Sequence, residues 1–308
     1  MAGGVCGQRR VPNFLFHRTG DWRFEETALR AGVAVATDGK ARAGMGADAR
    51  DYDGDGVLDL VVTNLDSEMH SLYRGLGNRL LACATPDSGI GPATFPFVGF
   101  GVVFFDFDND MQIDLAFANG HIMDNAPLFR AGATYAQRNL LFRNDGQRHF
   151  ADVSRNAGPG FALEKVSRGL VSGDIDNDGD LDLVVTNSGQ TADLLRNKGG
   201  SGNNALLVRT IGTESNRDGV GTELRLTAGT RTEIREVKAG SSHLGQDDAR
   251  PHFGLGRVTG VDRLEVRWPS GRTEILQNVQ ANQIITIREG NGIVGRCRSL
   301  VETLKSFA

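Results

Sequence analysis

The sequence DYDGDGVLDLVVTN at residues 51–64 places four aspartates directly before a short apolar run. The pattern returns as DFDNDMQIDLAFAN at residues 106–119 and as DIDNDGDLDLVVTN at residues 174–187. Aligned on the first aspartate, every copy has aspartate at positions 1, 3, 5 and 9 and asparagine at position 14. Internal repeats of such long period are typical of propellers and solenoids. The three copies therefore predict one of these architectures.

Alternating carboxylates in a tight turn converge on one point, and they repel one another unless a cation lies between them. Ca²⁺ is a hard cation that takes six to eight oxygen ligands, so we predict about three Ca²⁺ ions, one in each loop. The backbone carbonyl of position 7 is expected to be a further ligand in each loop. Loop one contributes Asp51, Asp53, Asp55, Val57 and Asp59, loop two contributes Asp106, Asp108, Asp110, Gln112 and Asp114, and loop three contributes Asp174, Asp176, Asp178, Asp180 and Asp182.

Position 6 of each loop must turn sharply, and Gly56 and Gly179 permit this. Met111 replaces the glycine in loop two, so this loop fits the pattern least well. An EF-hand would need glutamate at position 12 between two helices, whereas position 12 is apolar in all three loops. Two alternatives stay open: aspartate-rich surface turns that hold no ion, and ions that only stabilise the fold.

Short apolar runs between Gly, Asn and Asp turns predict strands along the whole chain. Residues 12–33 and 138–158 share an asparagine, an apolar pair, two phenylalanines and an Ala-Gly pair, which predicts two related hairpins. We predict an all-β chain whose residues 1–198 form a partial or incomplete β-propeller of about three to four blades.

The pattern changes at residue 203, where the aspartate loops stop. Runs such as VDRLEVRW at 261–268 alternate apolar and polar residues, which predicts strands with one buried face. Residues 203–290 are therefore expected to form a small β-sandwich or barrel-like domain. Residues 291–308 are expected to form a helical tail that docks on the body or binds a partner. Its apolar stripe is Ile293, Cys297, Leu300, Val301, Leu304 and Phe307.

Composition excludes several classes of protein. The chain has 308 residues and a net charge of −4, which gives no bulk basic surface for nucleic acid. No apolar run is long enough for an integral membrane segment. The N-terminal residues have no apolar h-region, so we expect no signal peptide in this chain. The three cysteines are widely spaced and predict neither a disulfide framework nor a zinc site.

Catalytic motifs are absent from the sequence: there is no G-x-S-x-G elbow, no HExxH and no glycine-rich phosphate loop. We therefore predict no enzyme. The stretch GSSHLGQDDARPHFGLG at 240–256 contains His243, Asp248, Arg250 and His252, which could bind a ligand or perform acid–base chemistry. A propeller-based enzyme or a carbohydrate-binding protein, with its site at the axial face or in residues 240–256, is therefore the alternative function.

The three aspartate loops resemble the FG-GAP/VCBS repeats of integrin-α-type β-propellers. NRDGVGTELRLTAG (216–229), REVKAGSSHLGQDDARPHFGLG (235–256) and VDRLEVRWPSGRTE (261–274) resemble the ASPIC/UnbV domain, although Thr222 stands where alanine is more usual. The combination is similar to the cartilage acidic protein family and its bacterial relatives. Since the propellers of such families are usually seven-bladed, the resemblance implies a fragment, an incomplete array, or further blades from missing sequence or another chain.

The resemblance also implies a cellular location and a function. It implies an extracellular, periplasmic or cell-surface protein that binds calcium and takes part in adhesion or matrix contacts, with no known reaction. We therefore predict a calcium-binding, non-catalytic interaction or adhesion module in which Ca²⁺ stabilises the propeller loops. The expected partner is a protein or a glycan.

Overall fold

The structure is a computed structural model that describes residues 3–8, 11–199 and 202–298. The chain is all-β with a β-propeller arrangement, which confirms the predicted fold class. Within the described residues the strands are, in chain order, β1 (Gly3–Gln8), β2 (Val11–Gly20), β3 (Arg23–Glu26), β4 (Ala47–Arg50), β5 (Asp59–Val62), β6 (Ser71–Gly75), β7 (Leu81–Cys83), β8 (Gly99–Phe105), β9 (Asp114–Asn119), β10 (Gln137–Arg138), β11 (Leu140–Asn144), β12 (Phe150–Asp152), β13 (Glu164–Lys165), β14 (Ser167–Gly173), β15 (Asp182–Asn187), β16 (Gln190–Leu195), β17 (Asn204–Ile211), β18 (Glu223–Ala228), β19 (Arg231–Glu236), β20 (His252–Gly256), β21 (Gly260–Arg267), β22 (Thr273–Gln280), β23 (Gln283–Arg288) and β24 (Gly292–Arg298).

Helices are short connectors between the strands. They are α1 (Ala28–Ala31), α2 (Ile90–Thr94), α3 (Ala126–Phe129) and two 3₁₀ turns at Ser154–Asn156 and Pro159–Ala162. In the part of the chain that the structure describes, no helix has the length and apolar character needed to cross a bilayer.

The N-terminal strands form antiparallel sheets in which hydrogen-bonded neighbours follow one another along the chain. The sheets are β1-β2-β3, β4-β5-β6-β7, β8-β9-β11-β12 and β14-β15-β16, and β10 pairs with β13 in a separate ribbon. We call these four sheets the blades. The two hairpins predicted from residues 12–33 and 138–158 are confirmed as β2–β3 and β11–β12.

Apolar side chains on both faces of the middle strands hold the blades together. In β5, Val61 packs into the core shared with the third blade, while Leu60 and Val62 pack into the core shared with the first. In β9, Phe117 faces the second blade and Ala116 faces the fourth. Because successive side chains of a strand point to opposite faces, a run without polar residues lets one strand serve two cores.

The first strands of the second, third and fourth blades, β4, β8 and β14, lie side by side. The backbone N–H of Phe104 in β8 donates to Asp48 Oδ2 in β4 at 2.9 Å. Between β8 and β14 the backbones approach closely at Gly101, where a Cβ atom would lie 2.6 Å from the Leu170 nitrogen. Inner strands of propeller blades converge in this way around an axis.

The C-terminal strands form a β-sandwich. The sheets β20-β17-β23-β24 and β19-β18-β21-β22 pack around one apolar core. β17 and β23 are parallel, and the other paired strands are antiparallel. The predicted alternation is present in β21, where Leu264 and Val266 are buried and Glu265 lies between them on the wetter face.

The prediction of a helical tail is wrong for residues 292–298, because they form β24 and pair antiparallel with β23. Without β24, β23 would be a sheet edge with unpaired N–H and C=O groups. Pairing with β23 gives residues 292–298 and β23 together more backbone hydrogen bonds than a short amphipathic helix would form. The remainder of the predicted helix, residues 299–308, lies outside the described residues.

A segment of the sandwich, residues 238–248, crosses the inner strands of three blades, and we call it the crossing segment. Ser242 and Ala47 of β4 exchange backbone hydrogen bonds at 3.0 and 3.3 Å, and Ser242 Oγ accepts the N–H of Val102 in β8 at 2.9 Å. Ser172 in β14 accepts the N–H of Asp248 at 2.9 Å. The second domain therefore occupies the side of the blades on which their inner strands converge.

Candidate metal centres

Each aspartate loop joins the first two strands of one blade. Loop one connects β4 to β5, loop two connects β8 to β9, and loop three connects β14 to β15. The strands on either side are hydrogen-bonded to each other, so both ends of each loop are held. The nine-residue spacing therefore produces the same turn three times.

The backbone of each loop turns through the left-handed region at positions 4 and 6. Glycine adopts this region freely, whereas another residue there costs roughly 1–2 kcal/mol. Met111, at position 6 of loop two, adopts it with φ = 72°. Its side chain packs against the sandwich core, and this contact offsets the strain. The φ values are 75° and 85° at Gly54 and Gly56, 56° and 72° at Asn109 and Met111, and 59° and 95° at Asn177 and Gly179.

The first aspartate of each loop accepts two backbone hydrogen bonds from inside its own loop. These bonds use both carboxylate oxygens and fix the direction of the side chain. Asp51 accepts from Gly54 and Gly56 at 2.8 and 2.9 Å, Asp106 from Asp110 and Met111 at 3.1 and 2.9 Å, and Asp174 from Asp178 and Gly179 at 3.1 and 3.1 Å.

The aspartate at position 9 holds each loop to a neighbouring strand of its blade. One carboxylate oxygen accepts the N–H of loop position 2, and the other accepts an N–H at or just beyond the end of the third blade strand. Asp59 accepts from Tyr52 and Gly75 at 2.9 and 2.8 Å, Asp114 from Phe107 and Asn144 at 3.1 and 2.8 Å, and Asp182 from Ile175 and Asn197 at 3.2 and 2.7 Å.

Three aspartates of each loop bring one oxygen apiece within 4.8 Å of one another. The groups are Asp51, Asp53 and Asp59 in loop one, Asp106, Asp108 and Asp114 in loop two, and Asp174, Asp176 and Asp178 in loop three. Asp55, Asp110 and Asp182 are not members of these groups, although each belongs to a predicted ligand set. The role predicted for the carbonyls of Val57, Gln112 and Asp180 stays a prediction.

The aspartate at position 3 of each loop shows whether a cation fits. Among the described residues, Asp108 Oδ1 and Asp176 Oδ1 are buried without a hydrogen-bond partner. Asp53 Oδ2 also lacks a hydrogen bond, since its 2.8 Å contact with Arg148 Nε is an ion pair without hydrogen-bond alignment. A buried carboxylate oxygen without a partner carries a desolvation cost that a bound cation would remove. The donor set, consisting of carboxylates alone, suits Ca²⁺.

Electrostatics in the loops also favour a cation. Burial raises the pKa of Asp59 to about 7 and that of Asp174 to about 6, and neighbouring aspartates add to both shifts. Burial likewise raises the pKa of Asp106 and Asp114 well above the usual range. Mutual repulsion was the cause expected from the sequence, but burial is the larger one. A divalent cation would hold these groups ionised.

Arginines lie beside the aspartates at position 3, and sequence reasoning missed them. Arg143 Nη2 lies 2.8 Å from Asp108 Oδ2, and Arg196 forms an ion pair with Asp176. Both arginines are followed by asparagine, in LFRN and LLRN, and this repeated pair is the sequence signal that could have identified them.

The asparagine of each Arg-Asn pair links one loop to the loop before it. Asn144 Nδ2 donates to the carbonyl of Tyr52, at position 2 of loop one, at 3.0 Å. Asn197 Nδ2 donates to the carbonyl of Phe107, at position 2 of loop two, at 2.7 Å. The three candidate centres are therefore connected by buried hydrogen bonds.

Residues 240–256 hold the sandwich against the blades. Arg250 pairs with Asp248 and donates to Asn177 Oδ1 and to the Asp174 carbonyl, at 2.6 and 2.7 Å. His252 Nε2 lies 3.0 Å from the Gly179 carbonyl, and burial lowers the pKa of this histidine to about 4, so the neutral ring donates the bond at neutral pH. Arg250 and His252 therefore both form hydrogen bonds with loop three.

His243, the fourth residue predicted from this stretch, lies in the crossing segment. Its Nδ1 is 3.3 Å from the Met45 carbonyl, and its ring packs edge-on against Phe100. The contacts of all four residues are of the kind that position one domain on another.

The fold and the loops together define a class. Residues 51–117 and 128–185 match the FG-GAP-like repeat family, and residues 212–294 match the ASPIC and UnbV family. The chain therefore consists of FG-GAP-like repeats followed by an ASPIC and UnbV domain, as the sequence predicted.

Among characterised proteins the chain is similar to cartilage acidic protein 1. It is 30% identical to the Homo sapiens protein over 294 residues, which cover 92% of this chain and 41% of the relative. The Mus musculus protein is also 30% identical over 294 residues, covering 92% of this chain and 42% of the relative. The Xenopus tropicalis protein is 28% identical over 290 residues, with the same two coverages as the mouse protein. The chain thus spans about two fifths of the length of the curated relatives it matches.

Proposed function

We propose that this chain is a calcium-binding, non-catalytic interaction module in which one Ca²⁺ in each of loops one, two and three stabilises the blades. The observation that carries the proposal is the aspartate at position 3 of each loop, which keeps a buried carboxylate oxygen without a hydrogen bond beside two further aspartates. When bound, Ca²⁺ supplies positive charge to groups whose ionisation burial disfavours. Asp51, Asp106 and Asp174, whose side chains are held by backbone N–H groups, would be among its ligands.

The interaction role rests on the domain arrangement and on similarity. FG-GAP-like repeats and the likeness to cartilage acidic protein 1 support an extracellular module that acts through its surface. The histidines and carboxylates of residues 240–256, which could have formed a catalytic site, are engaged in contacts between the domains. Further blades from elsewhere, and a protein or glycan partner, remain part of the proposal.

The test is a calorimetric titration of CaCl₂ into the full chain after its metal has been stripped with EGTA. We expect uptake of three ions. Asp53→Asn, Asp108→Asn and Asp176→Asn should each remove one binding event, because each removes the charge of a carboxylate whose buried oxygen lacks a hydrogen bond.

The matched control is Asp87→Asn, an exposed aspartate of the second blade that lies outside loop one. It should leave all three binding events unchanged. A wild-type chain that takes up no calcium at millimolar concentration would overturn the proposal. Equal losses in Asp87→Asn and in the loop variants would overturn it too.

A further inference from the structure

Loop one does not face solvent alone: it borders a polar cavity of about 230 Å³ between the domains. Asp51, Asp53 and Gly54 of loop one line the cavity, and so do Met111 and Gln112 of loop two. The hairpin of β18 and β19 also lines it, with Arg231, Glu233 and other residues. Water occupies ~30 Å³ per molecule in the liquid, so the cavity has room for several water molecules.

Glu233 is the buried carboxylate that the sandwich contributes to this cavity. Its exposed fraction is 9%. Its Oε2 forms a 2.5 Å ion pair with Arg235 Nη2, but its Oε1 has no hydrogen-bond partner among the described residues. A buried carboxylate oxygen in a roomy polar cavity is satisfied most simply by water.

Acidic groups of both loop one and loop two lie near Glu233. Burial raises the pKa of Glu233, nearby arginines oppose this shift and Asp51 of loop one adds to it, while burial and then Glu233 raise the pKa of Asp106 in loop two. Arg235 bonds to the other oxygen, Oε2, and donates to the carbonyls of His252 and Ile234 at 3.1 and 3.0 Å. Arg231 donates to the Met111 carbonyl in loop two at 3.2 Å. Glu233 Oε1 is therefore a buried acceptor without a hydrogen bond among the described residues, in a cavity that Asp51 and Asp53 of loop one also line.

We propose that Glu233 reaches the cation of loop one through a water molecule bound in this cavity, so that the two domains share one ion. This inference rests on the calcium site proposed for loop one and adds a residue of the sandwich to it. Ca²⁺ commonly keeps water among its ligands, with a side chain behind that water. Groups placed behind a ligand tune affinity strongly, and their loss typically weakens metal binding by about 10–100-fold.

The test is calcium titration of the full chain with Glu233→Gln. The variant is expected to weaken one of the three binding events about tenfold. Its control is Glu236→Gln, which removes the same charge from the same strand on the opposite side of the alternation. Glu236→Gln should bind all three ions as the wild type does.

A double variant that combines Glu233→Gln with a loop variant shows which loop the effect belongs to. In an Asp53→Asn background, Glu233→Gln should add no further loss of calcium affinity, because the shared site is already gone. An unchanged titration of Glu233→Gln would overturn the inference. So would a loss that persists in Asp53→Asn but disappears in Asp108→Asn, since Glu233 would then serve loop two.

Glu233→Gln leaves Arg235 buried without its partner, so the variant could unfold. Glu233→Asp keeps the charge and withdraws it by one methylene, and it is expected to give a smaller loss at the same site. The proposal of a calcium site in loop one and the proposal that Glu233 shares its ion can be refuted separately. A wild-type chain without calcium uptake refutes the calcium site itself, whereas three normal ions in Glu233→Gln and Glu233→Asp refute only the sharing.

Discussion

The blades and the sandwich use similar short strands, but their interiors differ in composition. Six aspartates at loop positions 1 and 9 of the blades are each at most 5% exposed. The sandwich interior is instead a continuous cluster of fifteen buried apolar residues. A buried apolar side chain stabilises a domain in any buffer, whereas a buried carboxylate needs a cation, a proton or a donor. The two regions should therefore respond differently to the same change of conditions.

Calcium removal should give the largest difference between the regions. Each site saturated at 100 times its Kd contributes about 2.7 kcal/mol to the free energy of unfolding. EDTA should lower the Tm of the blades, and added Ca²⁺ should restore it. Calorimetry measures the whole transition, while fluorescence of Trp268 in a Trp22→Phe background reports the sandwich, in which Trp268 is buried. If EDTA changed neither signal, the stability of the blades would not depend on the metal.

A core truncation in the sandwich should act without regard to calcium. Leu264 is fully buried, and Leu264→Ala should lower the free energy of unfolding by about 2–5 kcal/mol. The loss should be equal in Ca²⁺ and in EDTA, because the side chain lies in the apolar cluster. Urea denaturation in both buffers measures it, and Val294→Ala, at a half-exposed position, is the control. A loss that depended strongly on calcium would mean that the two regions unfold as one.

Within the blades, the loops should differ from one another. Asp176 has two buried oxygens without hydrogen bonds, whereas Asp110 already bonds to the Gln112 N–H and to Arg143. Asp176→Ala should therefore remove most of one site's stabilisation, about 2–3 kcal/mol, and Asp110→Ala should remove less. Thermal shifts with and without Ca²⁺ measure both variants. Equal shifts would contradict this ranking.

The smallest effect, per unit of pH, should come from a buried histidine of the second blade. Burial lowers the pKa of His70 to about 3, so the unfolded chain binds one more proton between pH 6.5 and pH 3. Stability should therefore fall as the pH drops through this window, by at most about 1.4 kcal/mol per pH unit for this group. Urea denaturation at saturating Ca²⁺ should show a smaller slope in His70→Gln. The exposed His149, changed to Gln, should leave the slope as it is.

Local patterns predicted the loops well. Hydrogen bonds of the first aspartate stay within six residues, so the spacing in DIDNDGDLD was sufficient to predict one turn three times. Alternation in β21 predicted a strand with one buried face for the same reason. Glycine at position 6 was a sound signal but not a requirement, because a contact with the sandwich holds Met111 in the left-handed region.

Contacts between residues far apart in the chain could not be predicted from the sequence. Glu233 lies in a strand whose polar residues face inward, and nothing in RTEIREVK reveals the loop about 180 residues earlier in the chain that it faces. The role of residues 240–256 was missed because His243, Arg250 and His252 make their contacts with strands and loops of the blades. The tail was misread because the edge of β23, which recruits β24, is a feature of the assembled sheet.

The crossing segment also has a consequence for how the chain reaches its native state. The pair Ala47 and Ser242 joins residues that are far apart in sequence, and closing so long a segment is entropically costly and slows folding. During synthesis, β4, β8 and β14 leave the ribosome well before the segment that bridges them. The inner strands of the blades are therefore uncovered until residues 238–248 have been synthesised.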